Sequence, residues 1–134
     1  MTNEFSFTVA ALHGNKKCAF ITKDGLEDAK HNNPDRPVSL ISLDARQKVD
    51  QAQRRGLCYR RFTADITLDC TEMPAKGLQL SSGDLVLRIL PEGKTCFPEC
   101  ELVQENLPCP LREGVRFASV ELPGRICLGE KLRI

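Results

Sequence analysis

From Phe62 to Asp69 the sequence alternates without a fault. Phe62, Ala64, Ile66 and Leu68 fall on one side, and Thr63, Asp65, Thr67 and Asp69 on the other. A period of two places alternate side chains on opposite faces of a strand, and it does not fit one face of a helix. Phe5, Phe7 and Val9 alternate with Ser6 and Thr8 in the same way. Further strand-like runs are set off by turn residues. Cys18 to Thr22 ends at Asp24-Gly25, and Leu85 to Leu90, apolar apart from Arg88, follows Ser82-Gly83-Asp84. Pro37 to Ile41 starts on its proline, where a strand tolerates the missing donor. Val115 to Leu122 and Arg125 to Ile134 flank Pro123-Gly124, which reads as a hairpin turn.

One stretch has helical character. Ser42 can cap a helix over residues 43 to 55, with Leu43, Val49 and Ala52 facing inward and Gly56 as its stop. The polar run from Leu26 to Arg36 reads as a loop. A short echo links Gly83-Asp84-Leu85-Val86-Leu87-Arg88-Ile89 with Gly129-Glu130-Lys131-Leu132-Arg133-Ile134, a turn followed by a strand. These signals predict a mostly β fold: one compact, largely antiparallel barrel over residues 1–134 with one or two short helices.

Composition narrows the function. The 134 residues carry 19 Lys and Arg against 18 Asp and Glu, so no strong field draws nucleic acid or an anionic membrane. Aromatic residues make up 5% and Trp is absent, which leaves little with which to stack bases. No apolar run approaches the roughly 20 residues of a spanning helix. The start, MTNEFSFTV, lacks the basic and apolar regions of a secretory signal, so the expected compartment is the cytoplasm. Seven cysteines leave at least one unpaired, and in a reducing compartment the expectation is free thiols.

Three of those cysteines, Cys96, Cys100 and Cys109, lie within fourteen residues of the segment from Gly93 to Arg112. Pro98, Pro108 and Pro110 break regular structure there, so the segment reads as a constrained loop that presents thiols. A thiolate can be a nucleophile, a soft metal ligand or a sulfur carrier. The spacing C-x3-C then x8 is not that of a common zinc knuckle, and a fourth zinc ligand would have to come from His13, His31 or a distant cysteine. Lys94, Arg112 and Arg116 flank the thiols and could stabilise a thiolate or hold an anion. Cys18, Cys58, Cys70 and Cys127 are scattered singly and read as small buried hydrophobes. Gly-rich phosphate loops, H-E-x-x-H and G-x-S-x-G are absent from the sequence.

Taken in order, these pieces resemble the MOSC domain, a family named for molybdenum-cofactor sulfurases. The resemblance rests on Gly93-Lys94-x-Cys96-x3-Cys100, then Cys109-Pro110-x-Arg112-Glu113-Gly114-Val115 and Phe117-Ala118-x-Val120. The close, Gly124-Arg125-Ile126-x-Leu128-Gly129-Glu130, carries Gly-Glu where the family usually has Gly-Asp. Upstream, Gly25-Leu26-Glu27-Asp28-Ala29-x-His31 with Arg36-x-Val38-Ser39-Leu40, and Phe62-x-x-Asp65-Ile66-Thr67, are similar to two further family segments. Glu27 and Asp65 stand where the family usually has Gly and Asn.

The resemblance implies a β-barrel that binds or acts through the molybdenum–molybdopterin cofactor. It implies the Cys100 thiolate as the molybdenum ligand, with Cys96 second and Cys109 beside them. Lys17, His31, Arg36, Asp65 and Arg112 form the implied cofactor-binding set, with Lys17, Arg36 and Arg112 on the pterin phosphate. The activity implied is reduction of N-hydroxylated compounds or sulfur transfer. An electron-transfer or cofactor-biosynthesis protein would be the partner, since the chain has no flavin, haem or iron–sulfur segment. The alternatives are a sulfur carrier that works through a cysteine persulfide, and a structural thiol or zinc module.

Overall fold

A computed structural model describes residues 6–27, 35–51, 64–70, 72–91, 104–105 and 114–134. Seven strands form a closed barrel in the order β1-β10-β6-β7-β8-β4-β5, with β5 returning to β1. They are β1 (Ser6–Leu12), β4 (Val38–Ser42), β5 (Ile66–Asp69), β6 (Gln79–Ser82), β7 (Leu85–Ile89), β8 (Val115–Leu122) and β10 (Lys131–Arg133). Every barrel pairing is antiparallel except β4 with β5, where Leu40, Ile41 and Ser42 run beside Ile66, Thr67 and Leu68. A second sheet, β3-β2-β9, comprises β2 (Cys18–Thr22), β3 (Gly25–Leu26) and β9 (Gly124–Cys127).

Alternation decides what fills the barrel. Leu85, Leu87 and Ile89 on β7 are fully buried, while Arg88 points out and meets Glu121 at 3.0 Å. Val9, Leu12, Val38, Leu40, Ile66, Leu68, Leu80, Ala118 and Leu132 complete a continuous core that also takes in Ala19, Ile21 and Ile126 from the second sheet. Two bulges bend the staves. Ala10 is extra in β1 against β5, and Glu121 is extra in β8 against β7.

Ser42 caps α1 (Leu43–Gln51) as expected, its Oγ accepting the Ala45 N–H at 3.0 Å. Ala45 and Val49 are the buried positions, whereas Leu43 is only half-buried. Ala52 and Gly56 lie outside the described residues. So do Phe62 and Thr63, and β5 is described from Ile66.

Two expectations need correction. Pro123-Gly124 is not a hairpin turn: β8 belongs to the barrel and β9 to the second sheet, so the chain changes sheets across Pro123. The physical reason is close approach. A Cβ on Gly124 would lie 2.6 Å from the Leu85 nitrogen, so the bare backbone there presses onto β7 as it leaves. Cys18 and Cys127 are not free thiols either. Antiparallel pairing of β2 with β9 sets them directly opposite each other, with 3.9 Å between Cα atoms, and they form a disulfide. The residues are 109 apart in sequence, so only the sheet register brings them together.

The echoed turn-and-strand units are real. Gly83 and Gly129 both take positive φ, at 57° and 81°, and launch β7 and β10. Strand β6, which precedes the first of them, has no counterpart among the sequence expectations.

Candidate functional site

The Gly93–Arg112 segment is strung between β7 and β8, so its two anchors define where it is mounted. Near one end, the Leu90 N–H donates to the Phe117 carbonyl at 2.8 Å. At the other, Gly114 enters β8 against the first turn of α1. A Cβ there would meet the Ala45 Cβ at 2.2 Å and the Ser42 Oγ at 3.2 Å, so glycine is required by space. Cys96, Cys100, Cys109, Lys94, Arg112 and His31 lie outside the described residues, as does Cys58.

Of the described candidates, Arg36 and Asp65 lie along the outer face of β4 and β8 next to β5, whereas Lys17 precedes β2 in the second sheet. Ser39 and Phe117 are register partners and therefore share a face. The Arg36 guanidinium carbon sits 4.4 Å from the centroid of the Phe117 ring, a stacked cation–π contact. Ser39 in turn clasps Asp65. Its N–H donates to Asp65 Oδ2 at 2.9 Å and its hydroxyl to the same oxygen at 3.2 Å. The Asp65 N–H returns a bond to Ser39 Oγ at 3.0 Å. Arg36, Phe117, Ser39 and Asp65 thus form one line of contacts across β8 and β4 to the residue before β5.

Burial pushes the Asp65 carboxyl above the ordinary carboxylate range, against the pull of the Ser39 bonds and the nearby His13. The Asp65 carbonyl also accepts the His13 N–H at 3.0 Å. The Asp65 side chain offers Ser39 an acceptor as well as a charge. Lys17 is exposed on the approach to β2, and its carbonyl accepts the Leu128 N–H at 2.8 Å. Arg116 is turned to backbone, donating to the Pro74 carbonyl at 3.2 Å and the Val115 carbonyl at 3.0 Å.

The Arg36 end of this line suits an anion. Stacking on Phe117 fixes the guanidinium plane, and no carboxylate among the described residues neutralises it. Among the described residues no three His, Cys, Asp or Glu side chains gather to hold a metal ion. Cys70 is a poor nucleophile: burial first, then Asp69 and Asp44, push its thiol up to about 11. Its sulfur rests 3.8 Å from that of Met73.

Ser39 and Phe117 lie in the motif segments, yet nothing in their local sequence assigns them a role. Their part follows from the β4–β8 register, which sequence spacing does not reveal. His13, a possible fourth zinc ligand by sequence, sits beside Asp65.

No family model matches the chain, and no curated protein matches its sequence. Solved structures do share its fold. A hypothetical protein superimposes with a TM-score of 0.66 at 17% identity, over 98% of this chain and 67% of its own. YiiM from Escherichia coli, a MOSC-domain protein, superimposes with a TM-score of 0.64 at 16% identity, over 97% of this chain and 70% of its own. The chain has a MOSC-like fold.

Proposed function

We propose that this protein binds the molybdenum–pterin cofactor and acts through it, with a thiolate of the Gly93–Arg112 segment as the metal's protein ligand. What carries the reading is a coincidence: a MOSC-like barrel whose motif residues Arg36, Ser39, Asp65 and Phe117 fall into one contact line. Arg36 would hold the pterin phosphate through its paired N–H groups, its plane set by Phe117. Lys17 and Arg112 would add charge to that phosphate, and His31 would lie on the pterin. Asp65 would act indirectly, by tying the start of β5 to Ser39 beside the Arg36 strand. Cys100 would offer the soft anionic sulfur, with Cys96 and Cys109 as its neighbours. When bound, the cofactor supplies a metal centre that exchanges electrons with a substrate. An electron-transfer protein would have to supply those electrons.

Metal, phosphorus and pterin-fluorescence analysis of protein purified from its native host tests the proposal. Molybdenum and pterin in equal amounts are expected. Arg36→Ala should lower pterin content with circular dichroism unchanged, whereas Cys100→Ser should keep pterin and lose metal-dependent reduction. A persulfide on wild-type protein without metal would move the assignment to sulfur carriage. Zinc alone would end both readings.

A further inference from the structure

The Cys18–Cys127 disulfide lies apart from the Arg36–Asp65 line, on the outer face of the second sheet. Alternation along β2 buries Ala19 and Ile21 and turns Cys18 and Phe20 outward. On β9 it buries Gly124 and Ile126 and turns Arg125 and Cys127 outward. Both cysteines are partly accessible, Phe20 is 45% exposed and the neighbouring Leu128 43%, so the face lies open to solvent. The Arg125 guanidinium donates Nη2–H to the Cys18 sulfur at 3.6 Å.

Two features set this bond apart from a buried staple. Four register pairs, Cys18 with Cys127 through Ile21 with Gly124, hold β2 on β9. Ala19, Ile21 and Ile126 are packed into the core from behind. The strands therefore stay together when the bond is cut, and the two thiols remain opposite each other, ready to close again. The second feature is the asymmetry between the sulfurs. Arg125 places a cation on Cys18, and a cationic neighbour lowers a thiol's pKa and makes it the better leaving group.

We propose that Cys18–Cys127 is a thiol–disulfide exchange site for a low-molecular-mass thiol, with Cys18 as leaving group and Arg125 as its positioning cation. The incoming thiolate attacks the Cys127 sulfur. The Cys18–Cys127 bond breaks, a mixed disulfide forms on Cys127, and the electron pair leaves on Cys18 beside Arg125. A second thiolate attacks the small-molecule sulfur of the mixed disulfide, releasing Cys127 as a thiolate that takes a proton from water. Two small thiols become one small disulfide, and the protein disulfide becomes a dithiol. Reoxidation reverses the sequence with a small disulfide as oxidant: Cys127 attacks it, and Cys18 then displaces the small thiol.

The test equilibrates the folded full chain in glutathione buffers of graded ratio, quenches with acid, alkylates, and maps Cys18 and Cys127 by mass spectrometry. Reversible conversion without denaturant and with unchanged circular dichroism is expected. In Cys18→Ser, Cys127 should accumulate the glutathione adduct. Arg125→Ala should slow reduction roughly twofold to fivefold, the scale of an exposed charge interaction, and Arg125→Lys should restore most of the rate. A bond that glutathione reduces only after the chain is unfolded would make it a structural staple and overturn the site. An Arg125→Ala rate equal to wild type would overturn the role of Cys18 as leaving group.

Discussion

Two outer walls of this molecule carry similar side chains to opposite ends. On the β4–β8 wall, Ile41 and Val115 alternate with core residues and so face outward, yet both are fully buried, and Phe117 is nearly so. Helix α1 packs on this side against β4 and β5, and Arg36 lies over Phe117. On the β2–β9 wall, Phe20, Arg125 and the two cysteines face outward, the first two exposed and the cysteines partly so. A covered wall desolvates what it holds, raising the Asp65 carboxyl, while an open wall leaves its sulfurs within reach of solutes. The chemistry of an outward residue is therefore set by what lies above it, not by its place in the strand pattern.

The largest contrast should appear on truncation. Ile41→Ala on the covered wall should cost about 2–5 kcal/mol, the range for a large aliphatic side chain cut back in a core. Phe20→Ala on the open wall should change stability by no more than about 0.5 kcal/mol. Paired urea denaturation curves read both, and equal costs would erase the distinction.

Gly114→Ala probes how closely the helix seals the covered wall. With its Cβ directed at Ala45 2.2 Å away, overpacking should cost about 1–3 kcal/mol, read as a lower urea midpoint. A neutral result would mean that α1 can lift off β8.

Asp65 tests the electrostatic side of the same cover. Its raised pKa means that the folded state keeps the proton to a higher pH than the unfolded chain does. Between the ordinary value of 3.8 and the raised folded value, stability must fall as pH rises, and the loss persists at neutral pH. Asp65→Asn keeps an acceptor for Ser39 and removes the charge. The variant should be the more stable protein at neutral pH, by a small margin that vanishes in acid. Denaturation curves collected from acid to neutral pH would show it, and a margin that grows in acid would reverse the sign.

The smallest effect on stability is expected from modifying thiols. Cys70, its thiol raised to about 11, should take up iodoacetamide slowly at neutral pH. Reduced Cys18 should react faster than Cys70, because Arg125 favours its thiolate. Peptide mapping after timed alkylation gives the order, and Cys70 leading would show that burial does not hold its thiol back.

Much of the barrel was legible because strands announce themselves locally. The alternation ending at Asp69, the glycine turns before Leu85 and Lys131, and the Ser42 cap each depend on neighbours within a few residues. Strand β6 escaped because Gln79-Leu80-Ser81-Ser82 has one core residue, Leu80, too few to show a period. The Cys18–Cys127 pairing escaped for another reason. It is fixed by which strands meet, and single-strand patterns carry no information about partners 109 residues away. The candidate site divides along the same line. Arg36 and Asp65 could be picked from motif segments, but the stack on Phe117 and the clasp by Ser39 arise from register.

The order of the staves has a consequence for how the chain assembles. β1 lies between β5 and β10, and β2 lies beside β9, so the first and last described strands are zipped together along both sheets. Around the bend, the Val9 N–H donates to the Glu130 carbonyl, the Gly129 N–H donates to the Val9 carbonyl, and the Leu128 N–H reaches the Lys17 carbonyl. Together with the β1–β10 pairs, of which Ser6 with Arg133 spans most of the chain, these contacts join residues more than a hundred apart, and loop closure makes them slow to form. The β6–β7 hairpin can form from neighbouring residues, but the cylinder stays open until β10 arrives. Pulsed amide exchange during refolding should therefore protect Leu80 and Leu87 before Val9 and Leu132. During synthesis, β1 and β6 wait as unpaired edges until residues 131–133 arrive between them to complete the ring.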